Sequence, residues 1–227
     1  DFRVDPARVL AACDDATKLI ILCSPNNPTG TFIPAAVITA IVEARAGQSI
    51  VVVDEAYIEF APAESVTALV DQYDNLVVLR TLSKALAFAG ARCGSVIGSP
   101  DVIDMLNAVQ APYALSTPVI ECVENALDAE GLSRAEQGVA ETVRERERMR
   151  VRLSEFALVR KVWPSAANFL LVRVADAPAL MGHCEANQVL LRHFGGELAD
   201  CVRISIGSAA ENDRLLDALA SLEATNG

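Results

Sequence analysis

The sequence lacks several features that mark common classes of protein. Positive charge is scarce. Nineteen lysines and arginines face 30 aspartates and glutamates, for a net charge of −11 and a pI near 4.6, which argues against a surface that holds nucleic acid by neutralising phosphates. Metal-ligand spacing is absent. The two histidines, His183 and His193, lie in different segments, and the six cysteines (Cys13, Cys23, Cys93, Cys122, Cys184 and Cys201) form neither a CxxC nor a Cys/His cluster. Structural or surface roles are expected for the histidines, and a reducing, cytoplasmic location for the chain. No apolar run approaches the ~18 residues that cross a bilayer, and no signal peptide is expected ahead of Asp1. There is no internal repeat and no low-complexity segment.

What is present is 227 residues, 52% hydrophobic and 22% charged, enough to bury one large core or two modest ones. In the first half, short β-branched runs alternate with helical stretches. KLIILC, SIVVVD, LVVLR and RCGSVIG read as strands buried on both faces. PAAVITAIVEARAG between the first two reads as a helix, with Pro34 at its start and Gly47 just past its end. This βαβ order implies a mostly parallel sheet in an α/β fold. From Ser99 the chain turns helical, with Ser99-Pro100 and Thr117-Pro118 as starts and Gly131 as a stop. Ser133 and Glu136 read as a capping box opening a long helix over about 133–156, whose balanced run RERERMR (144–150) suits a solvated side. NFLLVRV, QVLLRHF and CVRISIG are strand candidates, and Ser208 with Glu211 is a second capping box. The expected organisation is one domain over 1–125 and a smaller α+β domain over 126–227.

Residues with useful chemistry collect just past the ends of the expected parallel strands, where open α/β sheets bind ligands. SPNNPTG (24–30) follows the first strand and must turn tightly; alone it is as consistent with a plain loop. VVVDEAY ends the second strand on a carboxylate that is costly to bury unpaired, so Asp54 is expected to face a cation or a protonated ring nitrogen, or else to cap a nearby helix. Tyr57 could donate to the same ligand or be an ordinary half-buried tyrosine. RTLSKALAFAGAR follows the third strand and offers Thr81, Ser83, Lys84 and Arg92: hydroxyls and a guanidinium for a phosphate monoester, and an amine that can form a Schiff base. A surface lysine near a helix start is the plainer reading of Lys84, and it strains against all four residues together.

SPNNPTG, VVVDEAY, TLSKALAFAGARCG and APYALSTPV, in this order, resemble the successive signatures of fold-type-I aminotransferases that use pyridoxal phosphate (PLP), and the SKA and APYALSTPV strings resemble the histidinol-phosphate aminotransferases. The resemblance covers essentially the whole chain. It implies part of a PLP-binding large domain followed by a small domain. Lys84 is then the Schiff-base lysine and the acid/base of the transfer, and Asp54 pairs with the pyridine nitrogen. Asn27 and Tyr57 bind the phenolic oxygen, while Thr81, Ser83 and Arg92 bind the phosphate. CVRISIGS resembles the segment that binds the substrate carboxylate, which places Arg203 there, with Asn27 beside it. Arg192 matches a second arginine near the substrate pocket, or is a surface strand residue.

The implied reaction is amino transfer between histidinol phosphate and 2-oxoglutarate in histidine biosynthesis, by a homodimer with a shared site. The alternatives are an aromatic aminotransferase, a phospho-amino-acid decarboxylase, or a truncated product without a complete site. Family members are longer on the N-terminal side, where they carry a glycine-rich turn on the phosphate and an aromatic stack on the cofactor. The chain is therefore expected to be a fragment that binds PLP weakly.

Overall fold

The computed structural model describes residues 2–226. They divide into two compact units, one running to Asn26 and resuming over Thr31–Gly138, the other formed by Asn27–Gly30 and the chain from Val139 onward.

In the first unit, helix α1 (Pro6–Ala11) precedes strand β1 (Leu19–Cys23), helix α2 (Ala35–Ala44), and strands β2 (Ile50–Asp54), β3 (Leu76–Thr81) and β4 (Gly94–Ile97). The sheet order is β1-β2-β3-β4. The first three strands are parallel and β4 is antiparallel to β3. The core lies between sheet and α2, with Ile38, Ile41 and Val42 against Val51, Val53, Leu76 and Val78. Pro34 is the residue before α2, and Gly47 follows it at φ +70°, a backbone state that favours glycine. Helices α3 (Pro100–Val109) and α4 (Thr117–Ala126) both carry proline in the first turn, where the missing N–H costs nothing.

The strand runs are not all buried on both faces. In β1 burial alternates, and Leu19 and Ile21 are 55% and 64% exposed. An edge strand of this composition needs a cover on each side, and among the described residues only one is supplied. The long helix also differs from expectation. It is α5, Ala129–Leu153, and it starts ahead of Ser133 and Glu136, so their capping box does not form. Asp128 caps it instead, its Oδ1 accepting from the Gly131 N–H at 2.6 Å. Gly131 is therefore no stop signal. A Cβ at that position would lie 2.2 Å from the Ala126 carbonyl oxygen, so the tight passage from α4 into α5 requires glycine.

In the second unit, β5 (Val159–Val162), β6 (Phe169–Val174), β7 (Arg192–His193) and β8 (Cys201–Ser205) form an antiparallel sheet in the order β5-β6-β8-β7. Helices α6 (Ala177–Ala186) and α7 (Ala209–Asn226) complete it. Leu170, Val172, Leu180, Val202, Ile204 and Leu219 form the centre of its core. RERERMR is only partly a solvated face. The 3.6-residue period puts Arg146, Met149 and Leu153 on one side, and these are 5%, 0% and 0% exposed. QVLLRHF yields only a two-residue strand, because Gln188 takes φ +60° and Leu190 is left 83% exposed. The edge strand VRKV escaped the sequence reading because its two central residues are charged. The Ser208–Glu211 box forms as expected. The Ser208 N–H donates to Glu211 Oε2 at 2.8 Å, and the Glu211 N–H reaches Ser208 Oγ at 3.4 Å.

Candidate active site

The first unit carries the lysine and its neighbours. Asp54 ends β2, with Cys23 and Leu79 as its register partners on the flanking strands. Strand alternation sends Asp54 and Glu55 to opposite faces, and the two carboxylates have different fates. Asp54 is half-buried and its Oδ1 accepts from the Ala56 N–H at 3.0 Å. Glu55 is 2% exposed and accepts from the Ser65 hydroxyl and, at 2.8 Å, from the Val66 N–H. Arg80 lies 3.8 Å from it and pairs with Glu59 at 2.7 Å. Glu55 thus fastens the 3-10 segment Val66–Gln72 to the end of the sheet and leaves Asp54 as the carboxylate on the other face. Sequence reasoning missed this division of labour, although the adjacent pair Asp54-Glu55 after an apolar strand was the signal.

Three residues beyond β3, the Lys84 ammonium sits 5.3 Å from the centroid of the Tyr57 ring, within range of a cation–π attraction. Lys84 is half-buried and makes no ion pair among the described residues. Tyr57 is 7% exposed. The Thr81 hydroxyl donates to Ser83 Oγ at 2.9 Å, and the Ser83 N–H donates back to Thr81 Oγ1 at 3.1 Å. Ala87 and Arg92 take φ +59° and +53°, a region that costs side-chain-bearing residues roughly 1–3 kcal/mol each and that clusters in ligand-binding loops. The Arg92 guanidinium is exposed and donates to the Ala89 carbonyl at 3.1 Å, so it does not join the Thr81–Ser83 pair in this structure.

The second unit carries the arginines. Arg203 is central in β8, and its Nη1 donates to Asn27 Oδ1 at 2.7 Å. Its guanidinium stands 5.1 Å from the Phe169 ring centroid, and its Nε is buried with no hydrogen-bond partner among the described residues. Arg192 is the direct register partner of Arg203 across β7 and β8. Like charges directly opposite on one sheet face repel, so the pair makes physical sense beside an anion. Gly30, at φ +71°, closes the Asn27 segment. A Cβ there would lie 2.2 Å from Ser165 Oγ, and the Gly30 carbonyl accepts from the Ala166 N–H at 2.8 Å. Phe169 and Ser165 were not singled out from the sequence, since neither lies in one of the contiguous motif strings. The histidines make ordinary contacts: His183 Nε2 with Ser221 Oγ at 2.7 Å, and His193 Nε2 with the Ala199 carbonyl at 2.8 Å.

Comparison with known proteins bears on this arrangement. The model of the family "Aminotransferase class I and II" matches residues 1–219. The histidinol-phosphate aminotransferase of Xanthomonas campestris pv. campestris is 46% identical over 216 residues, covering 94% of this chain and 60% of the relative. The crystal structure of histidinol-phosphate aminotransferase from Sinorhizobium meliloti in complex with pyridoxal-5'-phosphate superposes with a TM-score of 0.89 at 27% identity, covering all of this chain and 63% of that one. L-threonine-O-3-phosphate decarboxylase from Porphyromonas gingivalis shares the fold, with a TM-score of 0.83 at 23% identity over 97% of this chain and 69% of that one. The chain spans about 60% of the length of the curated relatives it matches.

Proposed function

Because the chain belongs to the class I and II aminotransferase family, we propose that it carries the lysine and carboxylate-binding parts of a PLP-dependent aminotransferase acting on histidinol phosphate and 2-oxoglutarate in histidine biosynthesis. The observation that carries this reading is the half-buried Lys84 ammonium over Tyr57, three residues past β3 and without an ion pair among the described residues. An amine so placed is free to meet a carbonyl. The donor set suits PLP: a carboxylate at the end of β2, a phenol, an amine and a hydrogen-bonded hydroxyl pair. The 46% identity to a histidinol-phosphate aminotransferase supports the choice of substrate.

PLP, when bound, supplies an electron sink for the bonds at the substrate α-carbon. Lys84 would hold it as the Schiff-base amine and would serve as the acid/base of the transfer. Asp54 would pair with the pyridine nitrogen, an ion pair that is stronger out of water. By the family resemblance, Asn27 and Tyr57 would bind the phenolic oxygen, and Thr81, Ser83 and Arg92 the phosphate. Arg203 takes the substrate carboxylate in a two-pronged contact, with Asn27 fixing its orientation and Arg192 adding charge. On this reading residues 1–125 belong to the large domain and 126–227 to the small one, and the protein works in the cytoplasm as a homodimer.

Borohydride reduction of the PLP-treated chain followed by peptide mapping tests the reading. The label is expected on the peptide containing Lys84, and label confined to peptides with Lys18 or Lys161 would overturn it. Offering histidinol phosphate and threonine phosphate side by side separates amino transfer from carbon dioxide release.

A further inference from the structure

The charged run at 144–150 hides a buried member. The Nη1 of Arg146 donates to the main-chain carbonyl of Ala167 at 2.9 Å, and its Nε lies 3.4 Å from Glu147 Oε1. A guanidinium is costly to remove from water, and a solvated helix face does not require it. Ala167 lies in the 163–168 connection between β5 and β6. On one side of this connection, the Ala166 N–H donates to the Gly30 carbonyl, in the segment whose Asn27 accepts from Arg203. The Ala167 N–H closes the bend on Ser165 Oγ at 3.0 Å. On the other side, the Asn168 carbonyl accepts from the Ile206 N–H at 2.9 Å, and the next residue is Phe169, whose ring faces Arg203. Both neighbours of Arg203 are thus tied to the one connection that Arg146 grips from within α5.

We propose that Arg146 is a positioning residue for the anion site of Arg203: by holding the Ala167 carbonyl it fixes the connection that presents Asn27 and Phe169 to the Arg203 guanidinium. The contacts of Arg146 with Ala167 and Glu147 lie within the protein, and no contact with substrate or cofactor is assigned to it. The inference rests on the reading of Arg203 as the carboxylate anchor, and it adds that the geometry of that anchor is set from the helix. Small displacements of groups that orient a binding arginine are felt in affinity because the two-pronged contact is shape-specific.

The test uses the 227-residue chain with PLP, the dicarboxylate glutarate as probe, and amide hydrogen exchange as a second readout. In Arg146→Met, which keeps an apolar stem and loses the donors, the amides of Ala166 and Ile206 should exchange faster. Glutarate affinity should fall about tenfold, the loss expected when a charged hydrogen bond is removed, while PLP uptake stays within about twofold of wild type. Arg146→Lys should restore most of both. Unchanged exchange, or faster exchange with unchanged glutarate affinity, would leave Arg146 a plain structural residue and overturn the proposal. If Arg146→Met does not fold, Ser165→Ala loosens the same bend without touching α5. Unaltered Ala166 exchange and glutarate affinity there would overturn the proposal equally. Arg203→Lys serves as the control, weakening glutarate while leaving these amides protected. Failure of the wild-type chain to bind glutarate would remove the carboxylate reading of Arg203 and with it the positioning role, whereas the exchange data would report separately whether Arg146 holds the bend.

Discussion

The mostly parallel sheet of the first unit and the antiparallel sheet of the second present their candidate residues in opposite ways. Around β2 and β3, the candidate residues lie at or just beyond strand ends: Asp54 at the last position of β2, and Ser83 and Lys84 past β3, in a loop where Ala87 and Arg92 hold left-handed backbone. In β8 the key residue sits inside the strand. Arg203 has Leu171 opposite it on one side and Arg192 on the other, and its guanidinium is oriented by Asn27 and Phe169. Loop residues announce themselves as local strings of unusual composition. A strand residue depends on partners far away in sequence, and its environment exists only after folding.

The largest expected effect tests the loop half. Lys84→Ala should lower turnover by about 10²–10⁴-fold, since a positioned acid/base contributes at that level, and it should abolish the borohydride label. A Lys84→Ala chain that keeps wild-type turnover would break the assignment of chemistry to the first unit.

The next test concerns the packing beneath Arg203. Leu170 is fully buried in β6, and Leu170→Ala should cost about 2–5 kcal/mol of unfolding free energy. Trp163, the single tryptophan, lies in the same unit and offers a fluorescence signal for the transition. The matching change in the other sheet, Leu19→Ala, removes a side chain that is already 55% exposed and should shift stability by no more than about 0.5 kcal/mol. Equal losses at the two positions would mean that the β1 face is covered in solution.

Arg203→Lys keeps the charge but loses the planar fork. It should reduce kcat/KM by roughly 10–100-fold, equivalent to the ~1.5–3 kcal/mol of a charged hydrogen bond, with cofactor uptake unchanged. A loss of cofactor uptake instead would blur the division of roles between the two units.

A smaller effect follows from pH. Hydrogen bonds from Arg148, then from Asn212, hold the Glu145 carboxyl below its usual range, and the Ser208 hydroxyl and N–H do the same for Glu211. Each folded value lies below the unfolded one, so the stabilisation is complete above the ordinary glutamate value and is lost as pH falls through the lowered folded value. The melting temperature of the second unit, followed by Trp163 fluorescence, should therefore drop as the solution is acidified below about pH 4.3, the ordinary glutamate pKa. Glu145→Gln should flatten part of that slope. A slope unchanged in Glu145→Gln would show that other carboxylates govern acid unfolding.

Much of this protein was determined by local sequence. The apolar runs ending at Cys23, Asp54 and Arg80 specify β1, β2 and most of β3, because β-branched residues at that length favour strand. Pro100 and Pro118 mark helix starts, because a first-turn N–H is dispensable, and Pro34 stands just ahead of α2. The strings around Asn27, Asp54 and Lys84 were legible because each is contiguous. Other features were decided only by tertiary structure. Gly131 read as a stop until the approach of the Ala126 carbonyl made it part of a tight turn. Arg146 read as solvated because composition does not say which side of α5 faces the sheet. Glu55 and Asp54 are neighbours of the same chemical type, and only the packing of the 3-10 segment on one side of the strand end separates the structural acid from the candidate functional one. Phe169 carries no motif of its own. It gained a role because antiparallel pairing sets it across from Ser205, two residues from Arg203, a proximity fixed by the hydrogen-bond register of the sheet and invisible along the chain.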